Sequence, residues 1–204
     1  MMFFFSPRII SWAVISYLLL SLPLHAQTKT NLDIFKSFVD SSINEALVSI
    51  SDKEVPILLS FKPGSAYNIL ADQVFKTMQD NNRKIISDEA NNSAWKLNYT
   101  IESSSVQYGE VFRDGLLGDH LMTRKLSLQG SYRIMNGQSV IRDFNYSHTD
   151  TVKFEEIESL ENSSYPFTKG TIPTEPFLSN LFEPLVAITA AAVVITLFFT
   201  IRSK

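Results

Sequence analysis

The sequence predicts an α+β domain in which two helices pack on a mainly antiparallel sheet, followed by one C-terminal transmembrane helix. Between residues 31 and 81, apolar residues recur at the three- and four-residue spacing of amphipathic helices. From residue 95 onwards they alternate with polar residues, as in half-buried strands. Near the C-terminus, a long run carries no charge. Helices followed by consecutive antiparallel strands are typical of α+β folds.

Composition excludes several classes of protein. The chain has 204 residues, of which 45% are hydrophobic and 19% are charged, a balance that supports a folded core. Its net charge of -3 provides no basic field for a phosphate backbone, so we expect no nucleic-acid partner. With no cysteine, the chain forms no disulfide, has no thiol nucleophile and offers no cysteine ligand for a metal.

The N-terminal residues 1-26 have the organisation of a secretory signal peptide. Arg8 precedes an apolar run from Ile9 to Leu22, and Pro23 and Ala26 follow, which predicts cleavage after Ala26. An uncleaved anchor is the alternative, but the run is shorter than the roughly 20 residues that a span needs. Gln27 stands where a lipoprotein would carry cysteine, so we expect no lipid on the mature N-terminus.

Two helices and two short strands are predicted next. Thr30 or Asn31 is placed to cap the first helix, and Ser65 to cap the second, which Asn81 and Asn82 end. The first helix has one apolar face, formed by Leu32, Phe35, Phe38, Val39, Ile43, Ala46, Leu47 and Ile50. The second presents Ala66, Ile69, Leu70, Val74 and Met78. Compact apolar runs at 55-61 and 84-87 predict short strands.

Alternation from Trp95 predicts the antiparallel strands. Ser103 to Ser105 interrupts the first of them, where we expect a bulge or bend. Asn136-Gly137 signals a hairpin, but a two-residue turn would set the apolar rows of its two strands out of phase. We therefore expect a G1-bulge loop of Met135, Asn136 and left-handed Gly137. That loop pairs Tyr132 with Val140, Leu128 with Phe144 and Leu126 with Tyr146.

Three segments carry a resemblance to a known class of proteins. They are the second helix (LADQVFKTMQDNN), the short strand KIIS and the strand that opens WKLNYTI. With them, the stretch from Phe35 to Tyr146 resembles the small periplasmic α/β modules of envelope accessory lipoproteins, of the lipopolysaccharide-assembly, transporter-auxiliary and curli-secretion types. The chain departs from those families in lacking a lipobox cysteine. The resemblance implies an accessory role in a bacterial envelope.

The domain is expected to occupy residues 27-149 and to continue into a tether and a membrane span. Residues 150-176 are acidic and contain three prolines, as in a semi-rigid tether. Their glutamates are expected to form a solvated face, because a calcium loop would need a turn glycine among them. Residues 177-201 predict the transmembrane helix, a buried core helix being the alternative. Arg202 and Lys204, in the short tail 202-204, place the C-terminus in the cytoplasm by the positive-inside rule.

Few residues suggest chemistry. His120 and His148 have Asp119 and Asp150 near them in the sequence, and the expected register sets His148 opposite Arg124, near one sheet edge. A metal site there is an alternative to ordinary surface histidines, and Asp114 with Asp119 is a carboxylate pair that loop solvation explains equally well. The chain has no GxSxG, SxxK, HExxH, GxGxxG or Walker motif. We therefore assign no catalytic, cofactor-binding or metal-binding residue and expect no cofactor.

Two places are candidates for partner contact. Leu116 and Leu117 lie between glycines in a loop that should be polar, so they either cover the domain's own core or form an apolar tip for a protein or lipid. Glu183 at the start of the span is the second candidate, although an acid there is also an ordinary helix-start charge.

These observations lead to one functional expectation and two alternatives. We expect a non-catalytic protein of the bacterial inner membrane whose periplasmic domain binds or scaffolds protein partners in an envelope assembly. The alternatives are an accessory protein that binds lipid or a small molecule on the open sheet face, and a membrane-tethered periplasmic hydrolase. An apolar groove on that face would favour lipid.

Overall fold

A computed structural model describes residues 28–50, 52–61, 65–86, 95–115, 118–173 and 179–202. The expected signal peptide and its cleavage site after Ala26 lie outside these residues. In chain order the elements are α1 (Asn31–Val48), β1 (Ile57–Phe61), α2 (Asn68–Asp80), β2 (Ile85–Ile86), β3 (Trp95–Arg113), β4 (His120–Asn136), β5 (Gln138–Lys153), α3 (Ile157–Leu160) and α4 (Ser179–Arg202).

The strands form one five-stranded sheet of order β2-β1-β3-β4-β5, which confirms the α+β class. The short β1 pairs in parallel with both β2 and β3. The long strands β3, β4 and β5 pair antiparallel in sequence. A register shift between Ile101 and Ser103 confirms an irregularity close to the expected one, but β3 continues through it as one strand.

Helix α1 begins as the sequence predicts. Thr30 is its N-cap, and the Thr30 hydroxyl accepts a hydrogen bond from the amide of Asp33 at 3.2 Å. Its apolar face is buried against the sheet, with Phe35, Val39 and Ile43 fully inaccessible. This burial, rather than intrinsic propensity, supplies most of the stability of such a helix.

Helix α2 differs from the expectation at its start. The chain first makes a 3-10 turn, Ser65–Tyr67, and the α-helix begins at Asn68 with Tyr67 as an N-cap that makes no side-chain capping bond. Ser65 is therefore not the N-cap, because the extra turn moves the start of the helix beyond it. The end at Asn81 is as predicted, and Asn82 takes a left-handed φ of 55°.

The β4–β5 hairpin differs from the expectation in both loop and register, because the expected loop residues Met135 and Asn136 are paired within the strands. Tyr132 pairs with Arg142 and Leu128 with Tyr146, two residues away from the expected partners. Pairing continues to Asn136 and Gln138, so Gly137 alone lies between the two strands, and it has the expected left-handed φ of 72°. Because side chains alternate with period two, the apolar pattern fixes which face each residue takes, and a shift of two residues preserves it.

The segment expected to be a tether differs most from the prediction. Strand β5 runs through Thr149 to Lys153, and α3 closes a small cluster of Met122, Val152, Ile157 and Leu160. Further on, Phe167 joins the main core and Thr171 bridges Gln107 on the free part of the β3 edge. The chain is thus held by the domain as far as Thr171, because aromatic and aliphatic residues are interspersed among the acids and prolines.

Helix α4 is the predicted C-terminal apolar helix. Its stretch Pro184–Ile201 has a mean hydropathy of 2.4 and none of it is buried, so the helix is long and apolar enough to cross a membrane. The hydroxyls of Thr189, Thr196 and Thr200 bond back to carbonyls of the same helix, which satisfies them without water.

Candidate functional site

The long strands present two different faces. On the covered face, β4 buries Leu126, Leu128, Tyr132 and Ile134 in the main core under α1 and α2, and Met122 in the small cluster that α3 closes. On the other side, here called the open face, the intervening residues of β4 are exposed or half-buried and mostly polar. The domain therefore completes its core on one side of the sheet and leaves the other side for solvent or partners.

A trough of about 220 Å³ crosses the open face, at right angles to the strands. Its floor is a row of three paired serines, Ser105, Ser127 and Ser147, and the first two hydroxyls are 2.8 Å apart. Longer side chains flank the row on both sides: Gln107 and Lys125 on one, Gln129 and Asn145 on the other. The trough offers hydroxyls, amides and one ammonium group, which suit a hydrogen-bonding partner and not an acyl chain.

Arg124 is the largest fully buried side chain of the covered face. Its Nε lies 2.9 Å from Asp150 Oδ1 and its Nη2 lies 2.5 Å from Oδ2, a bidentate ion pair. Its Nη1 donates to the Lys29 carbonyl at 3.0 Å and to Asn31 Oδ1 at 2.7 Å. The buried charge is thus paired with a carboxylate and bonded to two further oxygen acceptors, as burial requires.

Asn31 extends this network to the end of the domain. Its Nδ2 donates to the Thr168 carbonyl at 2.8 Å and to the Tyr108 hydroxyl at 3.0 Å. The Arg124–Asp150–Asn31 network therefore joins the segment where the chain enters the domain, the sheet, and the segment from which it leaves towards α4. The sequence does carry a signal for this network, because Arg124 is a lone arginine in the otherwise apolar row of β4 and a buried arginine needs a counter-ion.

Electrostatics in the network favour the ionised pair. Burial disfavours the charged form of Asp150, but the hydrogen bonds and charge of Arg124 outweigh it, so the pKa of Asp150 lies below its usual value. Burial raises the pKa of Tyr108 to about 12, against the opposing hydrogen bond from Asn31. Both groups are therefore in fixed protonation states at neutral pH.

The two histidines lie apart and have different partners. His120 pairs with Arg113 at one end of the sheet and its Nδ1 is 3.2 Å from Glu155. His148 lies opposite Leu126, not Arg124 as the expected register had it, and its Nε2 is 3.4 Å from Asp150. Within the described ranges, no three histidine or acidic side chains come together in a way that could hold a metal ion.

Several candidate residues carry no structural description. Leu116 and Leu117 lie outside the described residues, as does Lys204. Glu183 and Arg202 lie within α4, whose backbone is described there, while their side chains are not. Their roles in partner contact and topology stay predictions. Asp119, beside the leucine loop, pairs with Lys153 at 2.7 Å, which lowers the pKa of Asp119.

One edge of the sheet is also available for contact. Strand β5 is the last strand of the sheet and pairs with β4 in a single register from Gln138 to Lys153, with no bulge. Val140 and Ile141 on it are 45% and 58% exposed. The backbone groups on its outer side pair with no other strand among the described residues.

Comparison with known proteins adds little. No protein-family model matches the chain, and no curated protein matches it. Among solved structures, the chain is similar to rare lipoprotein B from Shewanella oneidensis, with 14% sequence identity and a TM-score of 0.34. The match covers 69% of this chain and 98% of that chain. A similarity this low supports no argument about function.

Proposed function

We propose that this chain is a non-catalytic, single-pass protein of the bacterial inner membrane whose periplasmic domain binds or scaffolds protein partners in an envelope assembly. The observation that supports it most is the short connection between a complete domain and α4. Thr171 still bridges β3, and the helix starts at Ser179. Fully extended, the residues between them reach about 28 Å, which keeps the domain near the membrane surface and limits it to partners found there.

The lipid alternative has less support. It requires an apolar groove on the open face, and the trough on that face is lined by serine, glutamine, asparagine and lysine. Burying an acyl chain there would desolvate those polar groups without giving them hydrogen-bond partners. The hydroxyl and amide lining is compatible with the surface of a protein partner, whose polar groups can replace the lost water.

The hydrolase alternative has little support as well. It would need a serine, a histidine and an acid that converge in hydrogen-bonding reach. Among the described residues, His120 and His148 bond to carboxylates, and neither bonds to a serine hydroxyl. We therefore retain a binding role.

Mild-detergent affinity purification of the full-length protein from its native membrane, with quantitative mass spectrometry, tests the proposal. We expect stoichiometric envelope proteins and a mature N-terminus at Gln27. The double variant Leu116→Glu with Leu117→Glu should reduce the recovery of these envelope proteins several-fold and leave the melting temperature of the domain unchanged. Val48→Glu with Phe75→Glu is the matched control, because both residues are exposed on the helical side. Recovery with no other protein would contradict the proposal, and a lowered melting temperature would place the two leucines in the core.

A further inference from the structure

We propose that β5 pairs antiparallel with β5 of a second copy of this chain, joining two sheets into one of ten strands. Such self-association is independent of the proposed function. The outer edge of β5 is a long row of backbone donors and acceptors in one unbroken register. Edges of this kind pair with other strands unless charges, prolines or bulges protect them. Strand β5 contains no proline, and its register with β4 has no bulge, while its charges are of both signs (Arg142, Asp143, Asp150 and Lys153) and therefore restrict the pairing register.

The sequence of β5 restricts the register of such a pair. A two-fold axis perpendicular to the sheet keeps each face on its own side, so directly opposite residues must share a face. When the axis lies between the two copies of Tyr146, which then face each other, every residue from Ser139 to Lys153 is paired with a residue of the second copy. Arg142 then lies opposite Asp150 of the second copy, and this contact occurs twice. No like charges are opposed. Centring the axis on His148 pairs Asp143 with Lys153 but uses only the second part of the strand.

Charge on the edge fits this register. Arg142 is exposed and makes no ion pair among the described residues. Asp150 is committed to Arg124, but its side chain remains 27% exposed. A carboxylate has lone pairs for more than two donors, so Asp150 can accept from Arg142 of the second copy while it keeps Arg124.

The helices leave room for the pair. Helix α1 is hydrogen-bonded to three neighbouring strands. Its Ser42 bonds to Tyr99 of β3, and its Glu45 accepts from Tyr132 of β4 and Tyr146 of β5. The helix is therefore centred over β4, the middle strand of the three. In the joined sheet the two β4 strands are three strand spacings apart, about 14 Å. Packed helices need about 8–10 Å between their axes. The two copies of α1 therefore do not clash across the axis.

The arrangement is also compatible with two membrane spans. The two-fold axis relates the two exit segments at Thr171. With the axis normal to the bilayer, both chains approach the same membrane surface. The stretch from Thr171 to Ser179, about 28 Å when extended, lets each α4 enter it.

The absence of cysteine makes the register directly testable. Asn145→Cys and Ser147→Cys are placed in two differently tagged full-length copies, expressed together and oxidised in the membrane. These exposed positions are directly opposite in the proposed register, within disulfide range after a small adjustment. The control combines Asn145→Cys with Thr149→Cys, which are offset by two residues. We expect at least tenfold more cross-linked product in the first pair.

The charge pair gives a second, separate measurement. Arg142→Glu replaces two attractive contacts with two repulsive ones, so we expect roughly tenfold weaker self-association of the purified protein in detergent by sedimentation. Arg133→Glu makes the same charge change at an exposed position of β4, away from the β5 edge, and should leave self-association unchanged. Equal cross-linking of the two cysteine pairs, a monomer at every concentration, or wild-type association of Arg142→Glu would overturn the inference. The affinity purification of envelope partners tests the proposed function separately, whether or not the protein self-associates.

Discussion

The covered and open faces of β4 differ in what they contribute, although their residues alternate along one strand. Leu126 and Leu128 are fully buried under the helices, whereas Lys125 and Gln129 are exposed on the other side. The first set supplies the apolar burial that stabilises the domain, and the second supplies hydrogen-bonding groups at the surface. Alternation therefore separates the residues that stabilise the fold from those available at the surface, so a substitution on one face should leave the property of the other face intact.

The largest effect is expected from Arg124→Met on the covered face. Removing the guanidinium leaves the fully buried Asn31 and the partly buried Asp150 without this donor. We expect a loss of about 3–5 kcal/mol in the free energy of unfolding, which is typical for breaking a buried pair. Denaturant unfolding of the wild type and variant measures it. A loss below about 1 kcal/mol would mean that the network does not hold the two ends of the domain.

Leu128→Ala against Gln129→Ala tests the two faces at adjacent positions. Leu128 is completely buried, so its truncation should cost about 2–5 kcal/mol. Gln129 is exposed, and its truncation should change stability by less than about 0.5 kcal/mol. Chemical denaturation of both variants makes the comparison. Similar losses would show that the open face is covered in the folded protein.

Gly137→Val tests the hairpin that joins β4 and β5. Gly137 has a φ of 72°, and a Cβ there would meet nothing within 4 Å. The cost is therefore confined to the left-handed backbone, and we expect about 1 kcal/mol or more. An unchanged melting temperature would show that the loop adopts another conformation.

The smallest effect on stability is expected from a fall in pH from 7 to 4. The pKa of Asp150 is lowered in the folded protein, so its contribution to stability is complete above its usual value near 3.8 and is lost only as the pH falls below that. The difference in melting temperature between the wild type and Asp150→Asn should be constant from pH 7 to about 5 and should shrink below about 4. A difference that already shrinks at pH 6 would mean a raised pKa.

The sequence predicts the elements well where one period dominates. The alternation of β4 and the three- and four-residue spacing of α1 each encode the face that is buried, and both are confirmed. The predicted pairing of β4 with β5 was wrong by two residues. Any shift by an even number of residues preserves the alternation of buried and exposed side chains, so only the sequence of the turn distinguishes the possible registers. Ser65 was wrong as a cap, since a 3-10 turn can precede a helix without a change in composition.

The candidate site was less predictable because it depends on distant contacts. Asn31 and Thr168 are far apart in the chain, and only the fold brings Asn31 Nδ2 to 2.8 Å from the carbonyl oxygen of Thr168. The packing of Phe167 was missed for the same reason, since local acids and prolines resemble a tether whatever the aromatic contacts. The serine row of the open face likewise requires the register of three strands, which composition cannot supply.

The position of the domain relative to the membrane is the property on which the proposed function depends most. Single-cysteine variants of the full-length protein, Gln129→Cys on the open face and Ser203→Cys beyond α4, can be labelled in spheroplasts with a membrane-impermeant maleimide. We expect Gln129→Cys to be labelled in intact spheroplasts and Ser203→Cys only after permeabilisation. Labelling of Ser203→Cys alone, or of both variants alike, in intact spheroplasts would contradict a periplasmic domain held by one span.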